Sequence, residues 1–236
     1  MPCDPRLAHV PLCGSFSLIA DELQGRAVID LGCGPGDYLQ FAGPGSLGVE
    51  LNATEAAQAR ARGLQVVAHD LNQPPLPLAA CRFDVALLSH VMEHVHAPLY
   101  LLREANRLLR PGGRLIVGLP IEDNLYSRLR MDYYGGPEGH LYSFSPRNLD
   151  KLLAICGFAR RRLLCHLPRI GNRLDAGSSW LNRQLNRWVP APLVYAVSAA
   201  YWCVADKVGA PLPDAHWSSA YVAPGVDSST TGDAAG

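Results

Sequence analysis

The sequence has no excess of charge of either sign. Lys+Arg and Asp+Glu both number 21 in 236 residues, for a formal net charge of zero. A dedicated nucleic-acid binder normally carries a basic surplus, so that class is disfavoured. The seven cysteines, at 3, 13, 33, 81, 156, 165 and 203, form no C-x-x-C pair. Neither a zinc site nor a disulfide framework is indicated, no metal site is expected, and reduced thiols in the cytoplasm are the simplest reading. The start, MPCDPRLAHVPLCG, puts Pro and Asp where a secretory leader needs an apolar core. The longest uncharged stretch, WVPAPLVYAVSAAYWCVA at 188–205, carries two prolines near its start. Its remainder is shorter than the roughly 20 apolar residues of a spanning helix, so a buried or interfacial helix is expected. There is no internal repeat.

Two phosphate-binding patterns are missing as well. VIDLGCGPGDY at 28–38 is a strand running into glycines 32, 34 and 36. The dinucleotide pattern G-x-G-x-x-G, counted from Gly32, needs a third glycine where Asp37 stands, and counting from Gly34 also fails. The P-loop pattern is absent, and no Lys lies between residues 26 and 62. A pyrophosphate is therefore not the expected ligand.

What is present is an alternation of strands and helices. Apolar runs at 27–31, 46–50, 64–70, 83–90, 114–120 and 158–167 suit strands, and 218–224 suits a closing edge strand. Helices are expected at 15–25, 36–42, 52–63 (capped by Asn52 or Thr54 and stopped by Gly63), 97–113 and 145–157. The pattern implies an α/β, doubly wound, mostly parallel seven-stranded sheet with helices on both faces. Residues 1–25 read as an N-terminal segment and lid helix, 26–224 as one domain, and 225–236 as a disordered tail. Inside the domain, 71–81 is a Pro-rich loop and 121–145 a polar, aromatic acceptor loop. Residues 169–215 read as an inserted helical cover.

Three acids, Asp30, Glu50 and Asp70, fall twenty residues apart at the ends of the first three strands. Ligands of open parallel sheets bind outside those carboxyl ends. Glu50 suits the two hydroxyls of a ribose, Asp70 an adenine amino group, and Asp30 the orientation of the glycine loop and a nearby cation. Each could instead only cap a helix or sit in solvent. An adenosyl ligand with positive charge and no phosphate fits the set, and S-adenosylmethionine is such a ligand.

At this point the chain resembles class I S-adenosylmethionine-dependent methyltransferases of the small, methyltransferase 11/23-like type. VIDLGCGPGDYL resembles their first motif, LGVELN (47–52) carries the ribose acid, and HDLNQPPLPLAACRFDVALLSHVMEHV (69–95) ends strand four before an E-H-V turn. LLREANRLLRPGGRLIVGLP (101–120) and GHLYSFSPRNLDKLLAICGF (139–158) extend the likeness. The resemblance implies a Rossmann-like fold, S-adenosyl-L-methionine as methyl donor and S-adenosyl-L-homocysteine as product. It implies that Asp30, Gly32, Gly34 and Gly36 surround the methionine part and that Glu50 holds the ribose. Leu51, Asp70 and Leu71 would flank the adenine, and Ser89 and His90 would lie near the transferred methyl.

A hydroxyl acceptor benefits from a general base, most often histidine. His90, His94 and His140 are the candidates, with Tyr133, Tyr134 and Tyr142 lining an acceptor pocket; each histidine could equally be structural. Trp180, Trp188 and Trp202 accompany Arg173, Arg183 and Arg187 in the insert. That composition suits peripheral membrane contact through 180–205, or a plain helical cover or homodimer contact. The expected activity is methyl transfer, at oxygen, to a small-molecule, glycan or lipid-type acceptor. The alternatives are a tRNA or protein methyltransferase and a non-catalytic cofactor-binding scaffold.

Overall fold

The computed structural model describes residues 16–73, 75–128, 139–167 and 176–213. Seven strands are hydrogen-bonded into one sheet: β1 (Val28–Leu31), β2 (Leu47–Glu50), β3 (Val66–Ala68), β4 (Phe83–Ser89), β5 (Leu109–Pro120), β6 (Phe158–His166) and β7 (Ala200–Lys207). Their order is β3-β2-β1-β4-β5-β7-β6. The first five run parallel, and β7 lies antiparallel to both β5 and β6. The order reverses between β1 and β4, which makes the carboxyl ends of those two strands the natural ligand crevice.

Central strands of such a sheet are covered on both faces and are therefore apolar throughout. All four residues of β1 are buried. One face packs the cluster that includes Ile29, Leu31, Ala86 and Leu88 with α3 (Pro98–Leu108) and α5 (Pro146–Ile155); the short α4 (Leu125–Arg128) falls between them in the chain. The other packs Val28, Val85, Leu87 and Ile116 with Ile19 and Leu23, where α1 (Ala20–Leu23) lies, and with Leu39 and Phe41. α2 (Ala53–Ala61) starts at Asn52, whose side chain accepts from the Thr54 and Glu55 amides. α5 starts at Ser145, which accepts from the Asn148 amide. Both starts follow from residues that cap free N–H groups.

Several sequence expectations are corrected. The helix expected at 36–42 is a single 3-10 turn at Leu39–Phe41. The helix expected at 97–113 stops at Leu108, and RPGG belongs to β5. Leu109 is already extended, and Arg110, directly before Pro111, is sterically biased away from helix. The largest correction concerns 188–205. Only α7 (Ala191–Tyr195) is helical after α6 (Ala176–Trp188), and 200–207 is strand β7 rather than part of a helical cover. Tyr201, Cys203 and Ala205 pack into one core cluster and Trp202 into the other. A strand buried on both faces gives an unbroken apolar run, which period alone does not separate from a helix. The expected edge strand at 218–224 lies outside the described residues, as do Cys3, Cys13, Tyr133, Tyr134, Arg173 and the tail 225–236. Trp202, 1% exposed, is core and not interfacial.

Among the described residues β6 is an edge strand, and α6 covers it with two asparagines one turn apart. Asn186 accepts from the Cys165 amide and donates to its carbonyl, at 2.6 and 2.8 Å. Asn182 accepts from the Leu167 amide and contacts His166 Nδ1 at 3.1 Å. These side chains occupy edge groups that would otherwise invite another strand. Among the described residues no helix is long and apolar enough to cross a membrane. Cys33, Cys81, Cys156, Cys165 and Cys203 are all free thiols.

Candidate active site

The crevice begins where β1 runs out. Asp30 is 1% exposed, and neither of its carboxylate oxygens has a hydrogen-bond partner. Burial pushes its carboxyl up from 3.8 to about 8, and the Glu50 and Asp37 carboxylates add to the rise. Asp30 makes no hydrogen bond to the glycine loop. The loop is held by its neighbours on β2: Gly32 and Cys33 donate to the Val49 carbonyl, and Gly34 donates to Glu50 Oε2 at 2.8 Å. A buried carboxylate without a partner is costly unless a cation joins it. The ammonium and sulfonium of an S-adenosyl ligand supply that charge, so the residues fit the group.

Gly32 has φ +81°, and a Cβ there would lie 2.5 Å from Val91 Cγ2. The position therefore requires glycine on two counts, and the loop sits directly against the turn that follows β4. Glu50 also accepts from the Asn52 amide at 2.7 Å, through Oε1. Each carboxylate oxygen thus spends one lone pair on the backbone and keeps one for a ribose hydroxyl. Glu50 pairs in register with Ala68, which brings Leu51 beside the residues after β3. Leu51 is 64% exposed, an open apolar surface suited to a purine face. Asp70 lies two residues past the strand, where it accepts from the Asn72 amide at 2.9 Å. Leu71 is half-buried and packs on the core.

The Pro-rich loop after Leu71 is fixed from α3. Glu104 accepts from the Leu76 amide, and Arg107, paired to Glu104, donates to the Leu76 and Leu78 carbonyls. Asn72 accepts from the His96 amide at 2.8 Å, which ties the segment after β3 to the turn after β4.

That turn forms the other wall. Ser89 shares a hydrogen bond with the buried Tyr38 hydroxyl, so the end of β4 is joined to the segment after the glycine loop. His90 has φ +54°, one of two non-glycine residues with positive φ among those described. Such backbone costs of order 1–3 kcal/mol and tends to occur at functional sites. His90 Nδ1 lies 3.3 Å from Glu93 Oε1, in ion-pair reach but not aligned for a hydrogen bond. The Glu93 carbonyl accepts from the Leu141 and Tyr142 amides, which docks the segment carrying His140 onto the turn. The His94 and His140 rings lie 4.8 Å apart, edge to face, and His140 Nδ1 is bonded to Glu122. Tyr142 is 40% exposed and donates to the His96 carbonyl. Sequence reasoning named all three histidines but missed Glu93, Glu122 and Tyr38. Glu93 was visible inside the E-H-V turn; Glu122 carried no signal beyond its place just after β5.

A doubly wound sheet with an unpartnered buried acid at its switch point and a second acid ending the next strand offers a crevice that fits an adenosyl cation. Residues 10–163 match the family model for a methyltransferase domain, well over half of the chain, and the protein belongs to that family. It is an S-adenosylmethionine-dependent methyltransferase of class I. A probable S-adenosylmethionine-dependent methyltransferase of Mycobacterium tuberculosis is 28% identical over 206 residues, covering 81% of this chain and 72% of that protein. Of the length of another relative, an uncharacterised 37.1 kDa protein of a Streptomyces fradiae transposon, the chain covers 33%. The crystal structure of a possible histamine N-methyltransferase from Thermotoga maritima has the same fold. It aligns with TM-score 0.63 and 23% identity over 85% of this chain and 91% of that one. The 1,6-didemethyltoxoflavin-N1-methyltransferase of Burkholderia thailandensis, solved with S-adenosylhomocysteine, aligns with TM-score 0.55 and 22% identity. That alignment covers 87% of this chain and 80% of that one.

Proposed function

We propose that this methyltransferase acts on a hydroxyl of a small-molecule, glycan or lipid-type acceptor. The observation that carries the reading is the pairing of imidazoles with carboxylates on the wall after β4: His140 with Glu122, and His90 with Glu93. S-adenosylmethionine supplies an electrophilic methyl on a good leaving group. The chain's own work is then to bind, to orient and to take a proton. Asp30 and Glu50 hold the donor's charge and ribose, and the glycine loop lets the backbone approach it. A hydroxyl is a weak nucleophile until its proton is shared, and carboxylate-paired imidazoles are the groups that share it. An amine acceptor needs no such help once it is deprotonated.

The balanced charge of the chain supports a small acceptor over tRNA. A specific observation favours a hydrophobic one: Trp180, Trp188 and Leu193 on α6 and α7 are 56%, 72% and 63% exposed. The test is release of S-adenosylhomocysteine across a panel of phenols, sugars and lipid-linked alcohols, with the product's methyl located by NMR. A methyl ether whose formation slows by about 100-fold or more in His90→Ala is expected. Products methylated only at nitrogen would sink the reading.

A further inference from the structure

We infer that Glu93, His94 and His140 form a site for one divalent transition-metal ion, with Glu122 holding His140 from behind. One ligand atom from each of the three residues lies within 4.8 Å of the others. Ligand atoms on a common ion, each about 2.0–2.2 Å from it, stand roughly 3–3.5 Å apart, so side-chain rotation alone closes the set.

Three independent features point to a built site. Glu93 is fully buried, and neither carboxylate oxygen has a hydrogen-bond partner; His90 Nδ1 stands 3.3 Å from Oε1, in ion-pair reach only. A bound cation is the group that satisfies such a carboxylate. Glu122 bonds His140 Nδ1 and so fixes the orientation of the ring. A carboxylate behind a histidine is the usual outer support of a metal-binding imidazole. Finally, the Leu141 and Tyr142 amides donate to the Glu93 carbonyl, so the backbone itself holds His140 against the 93–94 turn.

Two imidazoles and one carboxylate select Zn²⁺, Fe²⁺, Co²⁺ or Mn²⁺ over Mg²⁺ and Ca²⁺, which prefer all-oxygen shells. Three protein ligands leave coordination positions open, and His94 is exposed on the solvent side of the trio. An oxygen of the acceptor fits such a position. This last point rests on the proposed hydroxyl chemistry, whereas the binding of the ion does not. His90 is then left as the proton acceptor beside Ser89.

The test uses the full chain, stripped with a chelator and titrated with Co²⁺ and separately with Zn²⁺. Visible d–d absorption and equilibrium dialysis read the binding. One equivalent of Co²⁺ with a saturable visible band is expected. His94→Ala and His140→Ala should each abolish the band, and Glu122→Gln should weaken binding by about 10–100-fold. Circular dichroism and S-adenosylhomocysteine affinity show that each variant is folded. Less than a tenth of an equivalent bound, or binding that survives both histidine variants, overturns the proposal. Hydroxyl methylation is measured separately: metal binding without any methyl-ether product would refute the acceptor reading and leave the metal site standing.

Discussion

Replacing Asp30 by Asn should make the ligand-free protein more stable while abolishing cofactor binding. In the folded chain the carboxyl is raised to about 8, chiefly by burial, against 3.8 for an exposed aspartate. The unfolded chain therefore loses its proton first as pH rises. Across the window from about 4 to about 8 the unfolded state binds fewer protons, so stability falls with rising pH and levels off above about 8. From 3.8 to pH 7 is about three units, and at 1.36 kcal/mol per unit the upper bound on the cost is about 4 kcal/mol. Asparagine places a similar neutral polar group in the same pocket at every pH, so it removes that slope. Scanning calorimetry should show Asp30→Asn melting higher than the parent at pH 7, by up to about 8–16 °C for a domain of this size. The gap should shrink toward zero near pH 4. Titration calorimetry at pH 7 in two buffers should show release of about one proton as the parent binds S-adenosylmethionine, because a cation favours the ionised carboxylate. A melting difference that does not vary with pH, or a parent more stable than the variant at pH 8, would refute the reasoning. Either result would mean that Asp30 already has a cationic partner inside the protein.

Other substitutions test the same crevice and its supports. Gly32→Ala forces a side chain to φ +81° and against Val91, and should cost about 1–2 kcal/mol in urea unfolding from the backbone alone. Glu50→Gln removes the charge that accepts from Gly34 and Asn52; loss of about 1.5–3 kcal/mol in S-adenosylhomocysteine affinity is expected, and an unchanged Kd would remove Glu50 from the ribose site. Asn106→Ala strips the Cys156 and Gly209 carbonyls of their buried donor and should lower stability by about 1–3 kcal/mol, read by denaturant melts, with cofactor affinity kept.

The acids that line the crevice were legible in the sequence because their placement is local. A strand, its glycine turn and an acid at the end of each following strand are set by the alternation of elements, and the sheet register then brings Asp30, Glu50 and Asp70 to one edge. Caps at Asn52 and Ser145 were legible for the same reason, since each bonds amides two or three residues on. The acceptor wall was not. His94 and His140 meet only because the chain returns after β5 and hands two amides to the Glu93 carbonyl, a backbone contact that leaves no mark on residue type. Strand β7 was hidden by its own burial. Gly118 on β5 gives it room, since a Cβ there would lie 2.4 Å from the Trp202 ring, and a glycine inside an apolar strand does not announce the partner it admits.

The sheet order also constrains how the molecule comes together during synthesis. β1 to β5 are complete once residue 120 is available, and each has a neighbour among the others. β6 does not: among the described residues its one sheet partner is β7, which enters the chain some forty residues later, at Ala200–Lys207. A nascent chain that stops before that point has strands β1 to β5 but lacks Trp202, which packs with Val28, Tyr38 and Leu87 under the crevice. Insertion of β7 between β5 and β6 is thus the closing event, and it delivers Trp202 beneath His90 at the same moment.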